Sequence, residues 1–205
     1  MKNVFKLLCG AMLLIGSTAA QAQDNVLEDV FTQSYYSEKQ GNYTLAISAM
    51  KKVYDAQSYE INLRLGWLSY SAGMYKESLN YYQIAVNLMP YSIEAKTGLV
   101  YPAVALGNMT QVVETYRKIL EIDPQNSNAN YRMGYIYYDK KDYQSAHNYF
   151  EKVVNLYPFS YDGLLMFAWT NFQMGKTREA KVLFNKVLLL SPSDKSALEG
   201  LSLIK

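Results

Sequence analysis

Apolar and polar positions recur with a fixed period along most of this chain. Between Tyr59 and Pro90, apolar residues follow helical spacing in two blocks separated by a turn at Gly73, which predicts two short helices packed against each other. Proline closes the stretch because it cannot donate a hydrogen bond within a helix. The closing proline returns every 34 residues, at Pro90, Pro124, Pro158 and Pro192. A sustained period of this length predicts a stacked array of helix pairs.

Two further kinds of residue keep the same period. The turn between the helices carries Gly73, Gly107, Lys141 and Gly175, and an aromatic residue six positions earlier appears as Trp67, Tyr101, Tyr135 and Trp169. Small side chains at Gly66 and Ser78 predict that the two helices of a pair approach closely. The period therefore marks residues that build the pair and residues that the pair does not require.

These units resemble tetratricopeptide repeats. The resemblance is carried by Leu65-Gly66, Gly73, Tyr75, Tyr82, Ala85 and Pro90, and by the matching series in 127–160. It implies an all-α, right-handed α-solenoid of about five helix-turn-helix repeats, in which the first helices line a concave groove. The expected repeats are 27–58, 59–92, 93–126, 127–160 and 161–194.

The ends and one internal position depart from the regular pattern. Residues 195–205 are predicted to form a capping helix, with Leu198 and Leu201 facing inward. Where the family often has tryptophan, early in the first helix, this chain has Asn62, Lys96 and Asn130.

The third repeat keeps the period but contains Pro102 inside its first helix. An interior proline removes a hydrogen bond and costs roughly 3 kcal/mol unless the helix kinks. Val100 and Val112 also replace the small residues of the other units. Two interpretations remain open. The third repeat could be a bent or widened helix pair that joins repeats 1–2 to repeats 4–5, or its packing could adapt locally to the larger valines.

The N-terminal residues have the pattern of a secretory signal peptide. Lys2 and Lys6 precede an apolar run, and Ala20-Gln21-Ala22 supplies small residues for cleavage after Ala22. The expected division is a signal peptide at 1–22 and a repeat domain at 23–205. Export to the bacterial periplasm, or association with the outer membrane, follows as the expected location, with no transmembrane segment in the mature chain.

Charge and composition narrow the partners. Removing two lysines from 20 basic side chains leaves 18 basic against 18 acidic ones, and no basic stripe survives. Nucleic acid is therefore a poor partner. The single cysteine, Cys9, lies in the predicted signal peptide, so the mature chain has no disulfide and depends on its packed core.

Catalytic chemistry has little support. His147 is the only histidine and is expected to face outward from the second helix of the fourth unit. No cysteine or second histidine accompanies it to hold a metal, and no phosphate-binding glycine loop or nucleophile elbow occurs. We expect no catalytic residues, no metal site and no cofactor.

Aromatic residues repeat on one face of the first helices, where the family resemblance places the groove. Arg64 and Arg132, with Glu28, Glu60, Glu94 and Asp162 at the edge, could add polar specificity; alternatively Glu60 and Arg64 pair across one turn. Since other positions already supply the core, an exposed binding stripe is favoured over simple packing. The predicted groove comprises Tyr35, Leu63, Arg64, Trp67, Tyr70, Tyr101, Tyr131, Arg132, Tyr135, Tyr138, Leu165, Trp169 and Phe172.

The favoured function is a non-enzymatic scaffold of the bacterial envelope that binds a peptide or helical segment of a protein partner along this groove. Two alternatives remain open. The aromatic faces could stack on a glycan such as peptidoglycan, or a second copy of the chain could fill the groove or the terminal face and form a homo-oligomer.

Overall fold

The computed structural model describes residues 26–204. The predicted signal peptide and its cleavage site lie outside the described residues. Contacts divide the chain into two compact units, one ending at Asn108 and the other beginning at Met109. All regular structure in the described part of the chain is helical, which confirms the predicted all-α class.

Unit 1 contains five helices in its described residues, 26–108. The first spans residues 26–39 and is called α1. It is followed by α2 (Tyr43–Lys51), α3 (Tyr59–Ser71), α4 (Tyr75–Leu88) and α5 (Ile93–Ala105). Its core contains Met50, Leu65 and Leu68, all fully buried.

Six helices form unit 2. They are α6 (Met109–Ile122), α7 (Ser127–Asp139), α8 (Tyr143–Leu156), α9 (Tyr161–Gln173), α10 (Thr177–Leu190) and α11 (Lys195–Leu203). The core here is built around Phe184, Leu164 and Val187. None of the helices described in residues 26–204 is both long and apolar enough to span a membrane.

Local signals set the helix ends. Each second helix stops two residues before the periodic proline, at Leu88, Ile122, Leu156 and Leu190. Each first helix from α3 onward starts after a polar residue whose side chain accepts a hydrogen bond from the backbone N–H three positions later. These N-caps also keep the period, at Ser58, Ser92, Asn126, Ser160 and Asp194.

The predicted close approach of paired helices is present. The Ser78 hydroxyl donates to the Gly66 carbonyl at 2.7 Å. A Cβ added at Gly66 would lie 2.9 Å from the ring of Tyr82. In unit 2, Gly134 meets Phe150 in the same way, with a Cβ clash at 2.8 Å. A larger side chain at either glycine would force the helices apart.

The polar residues at the family's tryptophan position tie the first helix to the loop before it. Asn62 Nδ2 donates to the Ser58 carbonyl at 2.7 Å, and Asn130 Nδ2 donates to the carbonyls of Asn126 at 2.9 Å and Pro124 at 3.0 Å. Lys96 Nζ donates to the Pro90 carbonyl. Polar contacts with the loop thus replace the packing of a large ring.

The C-terminal helix covers the core as predicted, but one of its contacts was predicted wrongly. Leu198 is 47% exposed, whereas Ala197 and Gly200 are buried. A Cβ at Gly200 would lie 2.3 Å from the Phe184 ring, so the small residues face the core and turn Leu198 toward solvent. Leu201 packs against the core cluster as expected.

Pro102 lies inside α5, which continues to Ala105. The boundary between the two units falls in the third repeat, between α5 and α6. The bent or widened pair at this repeat stays a prediction.

Candidate partner-binding surface

The structure brings most of the predicted unit 1 residues to one cavity. Tyr35 on α1, Leu63, Arg64 and Trp67 on α3, and Tyr101 on α5 line a space of about 740 Å³, which we call the unit 1 cavity. Its remaining lining residues are Phe31, Glu38, Tyr59, Glu60, Tyr82, Glu94, Thr97 and Gly98. Three of the aromatic side chains keep a large exposed fraction: 56% for Tyr35, 40% for Trp67 and 43% for Tyr101. Packing within the protein therefore leaves part of each ring open to a partner.

Trp67 and Tyr101 form the aromatic wall of this cavity, and Tyr70 packs against both rings. Its ring centroid lies 6.0 Å from that of Trp67 and 5.5 Å from that of Tyr101. It also contacts Tyr75, at 5.7 Å. Residues three apart on one helix share a face, which is why Trp67 and Tyr70 meet.

Arg64 is buried within the wall of the cavity. Its guanidinium pairs with Glu38 at 2.5 Å, Nε donates to Ser34 Oγ at 3.0 Å, and Cζ lies 3.8 Å above the Tyr35 ring. The predicted alternative pairing with Glu60 is wrong, because the α1 helix offers Arg64 a closer carboxylate. Arg64 therefore holds α1 against α3.

Glu38 was missed by the sequence analysis. Besides pairing with Arg64, it accepts a hydrogen bond from the Trp67 indole N–H. Glu38 lies three residues after Tyr35, a predicted groove residue on α1. Residues at this spacing share a helix face, and that was the signal that could have revealed Glu38.

Two carboxylates at the start of α3 and α5 face the same cavity. Glu60 and Glu94 are exposed and 34 residues apart, in equivalent first turns. The Tyr59 hydroxyl donates to Glu94 at 3.1 Å and also contacts Ser92 Oγ at 2.8 Å. Burial raises the pKa of Tyr59, so this hydroxyl stays a donor.

The cavity is acidic overall. Three carboxylates, Glu38, Glu60 and Glu94, line it beside one guanidinium, that of Arg64, which leaves a formal charge of −2. The aromatic rings add electron-rich faces.

The predicted unit 2 residues divide into exposed and packed groups. Tyr135 on α7 is 53% exposed, and Arg132 is exposed too. Tyr135, Tyr138 and Trp169 line a second space of about 560 Å³, the unit 2 cavity, together with Asp139, Lys141, Tyr143, Met166 and Gln173. Tyr138 is half-buried and meets Tyr143 edge-on at 5.4 Å.

Several predicted groove residues of unit 2 take part in packing. The Trp169 ring lies 5.1 Å from Phe184 and its indole N–H donates to Ser196 Oγ at 2.8 Å. Leu165 and Phe172 pack against the same core cluster. Tyr131 meets Phe150 edge-on at 5.8 Å. These side chains support the surface more than they offer contact area to a partner.

His147 is not on the outside of its helix as expected. Its ring packs edge-on against Phe167 at 4.8 Å, and Nε2 lies 3.3 Å from Lys176 Nζ. Burial lowers the pKa of His147, and the Lys176 ammonium lowers it further. The expectation failed because α9 covers this part of α8. No group of three or more potential metal ligands occurs among the residues that the structure describes.

The comparisons with known proteins address the fold. Residues 127–160 and 161–194 each match a family model described as tetratricopeptide repeat. These two segments are tetratricopeptide repeats. No protein of curated function matches the sequence significantly.

Solved structures extend the likeness in fold over most of the chain. A tetratricopeptide repeat protein from Parabacteroides merdae is 22% identical with a TM-score of 0.74, covering 86% of this chain and 71% of that one. A crystal structure of MamA is 20% identical with a TM-score of 0.70, covering 80% and 91%. MamA from Desulfovibrio magneticus is 16% identical with a TM-score of 0.69, covering 83% and 97%. This fold typically serves as a non-catalytic scaffold for protein interaction.

Proposed function

We propose that this protein is a non-enzymatic scaffold, exported to the bacterial envelope, that binds a peptide or helical segment of another protein through its aromatic first-helix surface. The observation that carries the proposal is the unit 1 cavity, in which Trp67 and Tyr101 remain about two-fifths exposed. Exposed rings beside a cavity supply a large contact area at small entropic cost. Export is supported by the signal-peptide pattern at residues 1–22.

Site-specific photo-crosslinking tests the binding surface. A photoreactive phenylalanine analogue is placed at position 101, inside the cavity, and in a control at position 91, where Tyr91 is 83% exposed and does not line the cavity. In intact cells we expect a discrete adduct from position 101 that the control lacks. Adding Trp67→Ala should abolish the adduct while circular dichroism stays helical.

Two results would contradict the surface. Identical adducts from both positions would mean that crosslinking reports random encounters. An adduct that persists in Trp67→Ala would show that the Trp67 ring does not contribute to binding. In unit 2, Tyr135→Ala is a better probe than Trp169→Ala, because the Trp169 ring is partly buried and also packs against the core cluster.

The same preparation separates the alternatives. A crosslink to a second copy, with sedimentation that changes with concentration, would favour self-assembly. Quenching of tryptophan fluorescence by peptidoglycan fragments, without a protein adduct, would favour the glycan-binding alternative. Mass spectrometry of the mature N-terminus tests export, with Gln23 as the expected first residue.

A further inference from the structure

We propose that the unit 1 cavity accepts the cationic side chain, arginine or lysine, of the partner segment. The inference rests on the proposed function and specifies the chemistry of what this part of the surface recognises. It follows from the combination of aromatic walls and excess carboxylate in one space.

The walls are suited to a cation. Faces of tryptophan and tyrosine attract a guanidinium or ammonium group placed within about 6 Å of the ring centroid. One such contact already exists in the wall, where the Arg64 guanidinium stacks 3.8 Å above Tyr35. Trp67 and Tyr101 are exposed rings in the same cavity without an assigned cation above them in the described structure.

The charges favour a cation over an anion or an apolar side chain. Glu38 offsets the charge of Arg64, whose Nη2 has no hydrogen-bond partner, so the excess charge that an incoming group meets comes from the carboxylates of Glu60 and Glu94. The Tyr59 hydroxyl donates to Glu94 and so helps to fix its position. An anionic partner would face like charge, whereas a basic side chain would exchange its hydration for two carboxylates and aromatic faces.

The space is large enough to admit a side chain from a bound segment. A volume of about 740 Å³ lies in the range of sites that hold small molecules. An anchor of this kind, desolvated against aromatic rings, commonly dominates the affinity of a peptide.

First-turn carboxylates also interact favourably with the partial positive charge of a helix N-terminus. The test must therefore separate recognition from helix stabilisation. Glu77 supplies the matched control, since it lies in the first turn of α4 in the same unit, is exposed, and does not line the cavity.

The experiment uses four blocked heptapeptide libraries that differ only in the fixed central residue: arginine, lysine, norleucine or glutamate. Retention on immobilised mature protein is measured at low and high salt. We expect the arginine and lysine libraries to be retained about tenfold more than norleucine, and more so at low salt. Glu60→Gln with Glu94→Gln should remove that preference, whereas Glu77→Gln should leave it intact. Glu60→Lys with Glu94→Lys should favour the glutamate library.

Equal retention of the four libraries, or a cation preference that survives the double glutamine variant, would overturn the inference. If norleucine is retained as well as arginine and Trp67→Ala abolishes both, the cation inference fails while the aromatic binding surface stands. Failure of the photo-crosslinking at position 101 would instead count against the proposed function itself.

Discussion

Lys141 is the one described residue other than glycine that has a positive φ, at 62°. It occupies the turn position that glycine holds elsewhere in the period, where φ lies between 71° and 76°, at Gly41, Gly73, Gly107 and Gly175. A side chain in this left-handed conformation crowds its Cβ against the following carbonyl, at a cost of roughly 1–2 kcal/mol. Replacing Lys141 by glycine should therefore stabilise unit 2.

The magnitude depends on two opposing effects. Glycine removes the crowding but loses more conformational freedom on folding, which costs about 0.5–1 kcal/mol. The Lys141 side chain is exposed, and the turn contact of this residue, from its backbone N–H to the Tyr138 carbonyl at 2.9 Å, does not involve the side chain. The net gain for Lys141→Gly should be about 0.5–1 kcal/mol, equivalent to a rise in Tm of about 1–4 °C.

Lys140 provides a control of matched chemistry. It is also an exposed lysine, but its backbone is right-handed, with φ −74°. Lys140→Gly loses the same charge and gains the same freedom in the unfolded chain without relieving any crowding, so it should destabilise by about 0.5–1 kcal/mol. The difference between the two variants, about 1–2 kcal/mol, then reports the cost of the left-handed conformation together with a weak contact of Lys140, whose Nζ lies 6.0 Å from the centroid of the Tyr137 ring.

Urea denaturation followed by circular dichroism measures both variants under identical conditions. Opposite signs are expected. If Lys141→Gly is as destabilising as Lys140→Gly, the left-handed conformation carries no cost at this turn and the reasoning is refuted.

Three further predictions concern packing, loop contacts and titration. Gly66→Ala should destabilise by about 1–3 kcal/mol in urea, since the new Cβ would lie 2.9 Å from the Tyr82 ring; an unchanged midpoint would contradict the close packing. Asn130→Ala should cost about 1–3 kcal/mol in the same assay by removing the hydrogen bonds to two loop carbonyls, and a neutral result would show that these bonds contribute nothing net. The folded state lowers the pKa of His147, so its contribution to stability is present above the unfolded pKa of about 6.5 and is lost as the pH falls below it. The urea midpoint should therefore drop between pH 7.5 and 5.5, less so in His147→Gln; equal drops would contradict this assignment.

The sequence was sufficient for the repeat and for most of its local structure. Pro90 and its periodic counterparts end the second helices, and Gly66 with Ser78 permits close approach, because such effects act within one helix pair. The same local reasoning places Tyr35, Trp67 and Tyr101 at equivalent positions, each on the corresponding face of its own helix.

Contacts between helices were less accessible to sequence reasoning. The pairing of Arg64 with Glu38 joins residues 26 positions apart on different helices, and the burial of His147 depends on Phe167 from the next helix. Periodicity gives the face of a helix but not the rotation and spacing of the neighbour that covers it.

What the sequence by itself determined is the repeating helix pair and the positions free to carry aromatic residues, since these follow from a 34-residue period and from turn and proline chemistry. The tertiary structure decided which of those aromatics remain exposed. Trp67 stays at the edge of a cavity beside Glu38, whereas Trp169, its counterpart three repeats later, packs on Phe184 and bonds to Ser196. The physical reason is that equivalent positions meet different neighbours, and burial depends on the side chains that the adjacent helix supplies.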